Sequence, residues 1–119
     1  MALIVQKYGG SSVADAGKIK NVARRIAATR EKGNQVVVVV SAMGDTTDDL
    51  INLAHQISEQ PDNRELDALV STGEVVSSTL LAMALEAIGC EAISLSGAQA
   101  GIRTDDAFRQ AKILKVESK

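Results

Sequence analysis

Aromatic side chains are almost missing from this chain. Tyr8 and Phe108 are the only two and there is no tryptophan, so there is no set of flat rings on which bases or sugars could stack. Cys90 is the single cysteine, which excludes an internal disulfide and a cysteine-ligated zinc site. His55 is the single histidine, which removes histidine-rich metal centres and most catalytic triads; both residues read as ordinary core or surface positions. Pro61 is the only proline. A net charge of −2 gives no overall attraction to nucleic acid or to anionic lipid.

No uninterrupted apolar run approaches the ~18 residues of a membrane-spanning helix, and the opening ALIV is too short for a signal-peptide core. There is no N-x-[ST] sequon. These absences point to a cytoplasmic protein without a nucleic-acid or membrane partner.

What the chain has is aliphatic: 45% of its 119 residues are hydrophobic, nearly all Val, Ile, Leu and Ala. That length suits one domain with one core. Residues 2 to 5 read as a short apolar strand running into Lys7, Tyr8, Gly9 and Gly10. Ile19, Val22, Ala23, Ile26 and Ala27 then recur at helical spacing, with Ser12 and Asp15 as a capping-box-like start and Gly33 as a stop. Five consecutive valines (36 to 40) without alternation predict a strand covered on both faces, ending at Ser41.

Thr46 or Thr47 is placed to cap a second helix with Leu50, Leu53, Ala54 and Ile57 on one stripe. A third helix is expected from near Arg64, with a pause at STGE (71 to 74) and a stop at Gly89. CEAISLSG (90 to 97) reads as a third strand, AQAGIRTDD as a loop and AKILKVESK as a fourth strand. The rhythm predicts an α/β fold of three αβα layers around a mainly parallel sheet.

Three clusters of small polar residues, GGSS, SAMGDTT and SGAQAG, each follow a predicted strand, where open α/β sheets bind ligands. At the first, a strand gives way to a helix through a double glycine. Backbone amides there, hydroxyls of Ser11 and Ser12 and the Lys7 cation suit a phosphate. The stretch matches neither G-x-x-x-x-G-K-[ST] nor G-x-G-x-x-G, and by itself it is also compatible with a tight turn beside a surface lysine.

Taken in order, KYGGSSV, VVVVVSAMGDTTDDL, RELDALVSTGE and GIRTDD resemble the amino-terminal part of the aspartokinase family of the amino-acid kinase superfamily. The resemblance covers essentially the whole chain. The first motif is usually Lys-Phe-Gly-Gly-Thr-Ser in that family, so Tyr8 and Ser11 are mild departures. It implies ATP- and Mg²⁺-dependent phosphorylation of the side-chain carboxylate of L-aspartate, the first step towards lysine, threonine and methionine.

By position, it implies that Lys7 neutralises charge on the transferring phosphoryl group, and that Gly9, Gly10, Ser11 and Ser41 face the ATP phosphates. Thr47 would touch aspartate and Glu74 would pair with its amino group. Thr47 can equally be a helix cap, and Glu74 a first-turn helix acid. Arg103 and Asp105 are assigned only to loop structure near the substrate, and Ser77 and Ser78 to helix packing. No residue is assigned to a metal.

The family's adenine and ribose contacts, an aspartate-clamping arginine and the ACT regulatory domains have no counterpart in these 119 residues. The expectation is therefore the front part of a kinase domain with little or no turnover alone, self-associating or pairing with a missing carboxyl-terminal half. A non-catalytic binding or assembly module is the rival reading, and a glutamate or uridylate kinase, against which STGE and RELD argue, is a third.

Overall fold

The structure, a computed structural model, describes residues 2–95 together with the backbone of 102–104 and 113–116. β1 (Leu3–Tyr8) leads through a 3-10 turn (Gly10–Val13) to α1 (Ala16–Glu31), followed by β2 (Gln35–Val40), α2 (Thr46–Ile57) and α3 (Asn63–Ala87). β3 (Ile102–Thr104) and β4 (Ile113–Val116) form a separate antiparallel pair.

β1 and β2 pair in parallel, Leu3 opposite Gln35 through Tyr8 opposite Val40. Parallel neighbours need a crossover, and α1 is that crossover. Its buried stripe of Ile19, Val22, Ala23 and Ile26 closes on Tyr8, Val13, Leu81 and Leu85, with Val36, Val38 and Val40 packed against the cluster. The α/β class and the helical stripe of α1 are as the sequence predicts.

Asp15, not Ser12, is the cap of α1: its Oδ1 accepts the Lys18 amide at 2.8 Å, and Ser12 belongs to the preceding 3-10 turn. Both glycine stops hold, with Gly33 and Gly89 at φ +89° and +83°, where a side chain would be strained. After α3 the Gly89 amide donates to the Glu86 carbonyl and the Cys90 amide to the Leu85 carbonyl, the paired bonds of a Schellman ending.

Several expectations are corrected. β1 runs to Tyr8, so Lys7 and Tyr8 lie within the strand. α2 begins at Thr46 after Asp45, which makes Thr46 and Thr47 first-turn residues rather than caps. On α2, Leu50, Ile51 and Ala54 are half-buried, whereas Leu53 and Ile57 are exposed.

α3 is one continuous 25-residue helix without a pause at STGE, because Gly73 is there for close packing and not to break the helix. Residues 90–95 are not in a ladder, although their burial alternates with Cys90 and Ala92 on the core; positions 96 and 97 lie outside the described residues. β3 occupies part of the segment expected to be a loop.

The valine strand is not covered on both faces. Val37 and Val39 are each 49% exposed, beside Leu3 and Val5 at about 65%, so among the described residues helices cover one face of the sheet only. The described residues thus show two of the three layers of the expected α/β fold.

α3 also has an 18-residue window of mean hydropathy 1.5, apolar enough by length and composition to cross a membrane. Counting unbroken apolar runs misses it because serine, threonine and glycine interrupt the sequence. In this fold its Leu66, Gly73, Ser77, Leu81 and Leu85 are buried, but 22% of that window is buried in all, and Val75, Val76, Leu80 and Met83 are exposed.

Candidate functional site

Alternation along β1 sorts its side chains: Ile4, Gln6 and Tyr8 point towards α1, while Leu3, Val5 and Lys7 lie on the bare face. Lys7 sits opposite Val39 near the carboxyl end of the strand pair, an exposed cation at the edge of an apolar surface. The two strand-end loops begin two residues beyond this point, at Gly9 and Ser41.

These loops are joined by backbone. The Ser41 amide donates to the Tyr8 carbonyl at 3.1 Å, and the Gly44 amide to the Gly10 carbonyl at 3.0 Å. A Cβ on Gly10 would stand 2.9 Å from the Ala42 carbonyl oxygen, so glycine here permits loop-to-loop contact. Gly9 differs: a Cβ there would meet nothing within 4 Å, leaving its surface open to a ligand.

The GGSS stretch does not open a long helix. It forms a four-residue 3-10 turn closed by the Ser12 amide on the Gly9 carbonyl at 3.0 Å. The dipole of α1 starts only at Ala16, behind the Asp15 cap, so the phosphate geometry expected from a strand-to-helix junction is replaced by a separate turn. The Gly10 and Ser11 amides have no backbone acceptor among the described residues.

The middle of α3 locks against the second loop. Ser77, fully buried, donates its hydroxyl to the Ser41 carbonyl at 2.7 Å. One turn earlier, a Cβ on Gly73 would lie 2.8 Å from the Ala42 Cβ and 3.3 Å from the Thr46 Cγ2. Glu74 follows Gly73 directly and is exposed, while Thr47 is half-buried in the first turn of α2. Glu74 is mid-helix, which overturns its reading as a first-turn helix acid.

Lys7, Gly9, Gly10, Ser11, Ser41, Thr47 and Glu74 thus stand on segments that meet at one end of the sheet. Of the builders of this meeting point, Ser77 is a helix-packing residue as the sequence predicts, whereas the role of Gly73 escapes sequence reasoning. Gly73 and Ser77, small residues four apart on one helix face, were the available signal for a close approach. Asp105 lies outside the described residues, and of Arg103 only the backbone is described.

Among the described residues no group of three His, Cys, Asp or Glu could hold a metal ion. A hollow of ≈ 320 Å³ lined by Ala16, Ile19, Met43 and Met83 lies between α1 and α3, and one of ≈ 430 Å³ lies by Arg30 and Glu91 at the opposite end. Neither is lined by Lys7, Thr47 or Glu74.

The family model described as "Amino acid kinase family" matches residues 2–118. An aspartokinase of Mycobacterium tuberculosis (strain ATCC 25618 / H37Rv) is 59% identical over 116 residues, which is 98% of this chain and 28% of that protein. One of Bacillus sp. (strain MGA3) is 56% identical over 118 residues, 99% of this chain and 29% of its own. The chain therefore spans little more than a quarter of the length of these relatives.

Among solved structures, aspartate kinase from Synechocystis aligns at a TM-score of 0.81 and 56% identity, covering 84% of this chain and 17% of that one. E. coli aspartokinase III in complex with aspartate and ADP aligns at 0.80 and 21% identity, covering 93% and 34%, a likeness of fold alone. With a family model matched over nearly its whole length, this α/β chain belongs to the amino acid kinase family.

Proposed function

We propose that the chain carries the front part of an aspartate kinase site, contributing to ATP-dependent phosphorylation of the L-aspartate side-chain carboxylate to 4-phospho-L-aspartate. The observation that carries the reading is the convergence of the Lys7 strand end, the open Gly9 turn, the Ser41 loop and the Glu74 turn of α3 at one end of the sheet. The 59% identity to aspartokinases and the aspartate and ADP bound by a relative of the same fold support the choice of substrates.

ATP supplies the phosphoryl group. Lys7 offsets the charge on it, and the Gly9, Gly10 and Ser11 amides, with Ser41, take its phosphate oxygens. Transfer of a phosphoryl group demands placement and charge stabilisation more than covalent chemistry by the protein. Thr47 orients aspartate by its hydroxyl, and Glu74 pairs with the substrate's ammonium, which selects an amino acid over a simple diacid.

The open surface at Gly9 fits a phosphate group. For Mg²⁺ the described residues provide no carboxylate cluster, so no role in holding it is assigned to them.

In this reading residues 1–119 form the amino-terminal part of the kinase domain. The adenine-binding segment, and regulatory domains that bind feedback inhibitors, belong to chain outside them, and the location is cytoplasmic. The alternative is a non-catalytic assembly module, favoured by one observation: Leu3, Val5, Val37 and Val39 leave an apolar sheet face uncovered.

A coupled assay of ADP release with ATP, Mg²⁺ and L-aspartate decides between them. The 119-residue chain is mixed with the rest of the M. tuberculosis relative, expressed separately. Aspartate-dependent turnover is expected in the mixture and should fall by at least ~100-fold in Lys7→Ala, the size of effect seen when a transition-state charge partner is removed. Complex formation without turnover would favour the assembly reading.

A further inference from the structure

The inward face of a strand packed on a helix is ordinarily apolar, yet two of the three inward residues at the end of β1 carry polar groups, and they are tied into a closed ring with α1. The Gln6 Nε2 donates to Thr29 Oγ1 at 3.0 Å, and the Tyr8 hydroxyl donates to Gln6 Oε1 at 3.0 Å. Thr29 Oγ1 in turn donates to the Arg25 carbonyl at 3.1 Å. The Arg25 guanidinium carbon then lies 5.8 Å from the centre of the Tyr8 ring, within the range of a cation–π contact.

The ring admits one arrangement. Thr29 has a single hydroxyl proton, spent on the Arg25 carbonyl, so towards Gln6 it can only accept. That turns the Gln6 amino group to Thr29 and its carbonyl to Tyr8, which must donate.

Leu, Phe and Val at positions 6, 8 and 29 would pack with similar volume and no polar groups to satisfy. A fully satisfied polar network contributes less to raw stability than to a unique geometry. Here a slip of β1 by one residue would carry Gln6 and Tyr8 to the bare face and Lys7 into the helix interface. Tyr8 is 8% exposed with its hydroxyl turned to Gln6, so it is not itself a ligand of anything at the loop.

We propose that Gln6, Tyr8, Thr29 and Arg25 are positioning residues that fix Lys7 and the Gly9–Ser11 turn in the geometry an incoming polyphosphate requires. The proposal rests on the phosphate-site reading above. Lys7 lies between the ring members Gln6 and Tyr8, and Gly9 directly follows Tyr8, so both emerge from backbone that the ring holds.

The test uses the 119-residue chain, ¹⁵N-labelled, as parent and as Tyr8→Phe, Thr29→Val, Thr29→Ser and Lys7→Ala. Three quantities are read: thermal unfolding, hydrogen exchange without ligand at the turn amides of Ser12, Ser41 and Gly44, which donate to the Gly9, Tyr8 and Gly10 carbonyls, and affinity for inorganic tripolyphosphate with Mg²⁺. Tyr8→Phe removes one oxygen and should melt close to the parent. Its turn amides should exchange at least several-fold faster, and affinity should fall about tenfold, as expected for small misplacement of charge-stabilising groups. Thr29→Val should behave likewise, whereas Thr29→Ser, which keeps the hydroxyl, should match the parent.

Unchanged turn exchange in Tyr8→Phe and Thr29→Val would overturn the proposal and leave the ring as packing alone. If the parent and Lys7→Ala bind tripolyphosphate equally weakly, the phosphate reading fails instead. The exchange rates then still decide whether the ring holds the turn.

Discussion

Gly73→Ala poses two physical effects of opposite sign at one helix position. Alanine in a helix interior is favoured over glycine by about 0.5–1 kcal/mol, which alone would stabilise α3. The added Cβ, however, would stand 2.8 Å from the Ala42 Cβ, well inside the ~3.5–4.0 Å at which carbon atoms attract. Forcing a methyl into such a contact costs about 1–3 kcal/mol after relaxation.

The contact should win, leaving the variant about 1 kcal/mol less stable, or roughly 4 °C lower in Tm for a chain of this length. Gly17→Ala is the matched control. It is an exposed helical glycine whose Cβ would make an ordinary 3.4 Å contact with Asp15 Oδ1, so the same substitution should stabilise by about 0.5–1 kcal/mol.

Thermal and urea unfolding followed by circular dichroism give both values. Adding Ala42→Gly to Gly73→Ala removes the opposing methyl and should recover stability, with a coupling of about 1 kcal/mol or more between the two sites. Because the Ala42 loop holds Gly10 through the Gly44 amide, the single variant should also shift the Gly10 and Gly44 amide resonances. Stabilisation by Gly73→Ala equal to that by Gly17→Ala would refute the packing argument.

Three other outcomes follow from the same contacts. Ser77→Ala should cost about 1–3 kcal/mol, the loss of a buried hydrogen bond that leaves the Ser41 carbonyl without this partner, measured by urea unfolding. Asp15→Ala removes the side-chain cap of α1 and should cost about 1 kcal/mol by the same method, while Ser12→Ala costs less, since Ser12 lies outside the helix. Val37→Thr with Val39→Thr should reduce self-association in sedimentation velocity with little change in Tm, because both side chains are on the bare face; unchanged association would place the contact elsewhere.

Legibility from the sequence follows how local each determinant is. The stripe of α1 and the stops at Gly33 and Gly89 are written in residues that act within one or two turns, and they read correctly. The caps of α1 and α2 misread by one to three residues, because several of Ser12, Asp15, Asp45, Thr46 and Thr47 could serve and only the backbone path selects among them.

The pause that STGE suggests is absent, since the reason for Gly73 lies across the fold at Ala42, out of reach of local propensity. The valine run signals burial on both faces, and the described residues cover one of them. At the site, Lys7 and the glycine turn stand out as a motif, whereas the Gln6–Tyr8–Thr29–Arg25 ring joins positions up to 23 apart and no spacing announces it.

The most direct test of the central claim is a map of amide shift changes in the ¹⁵N-labelled chain, titrated with Mg²⁺-ATP and separately with L-aspartate. The account predicts that ATP moves Gly9, Gly10, Ser11 and Ser41, that aspartate moves Thr47 and Glu74, and that Lys7→Ala removes the first response but not the second. Shifts confined to other surfaces, or a first response that survives Lys7→Ala, would contradict it.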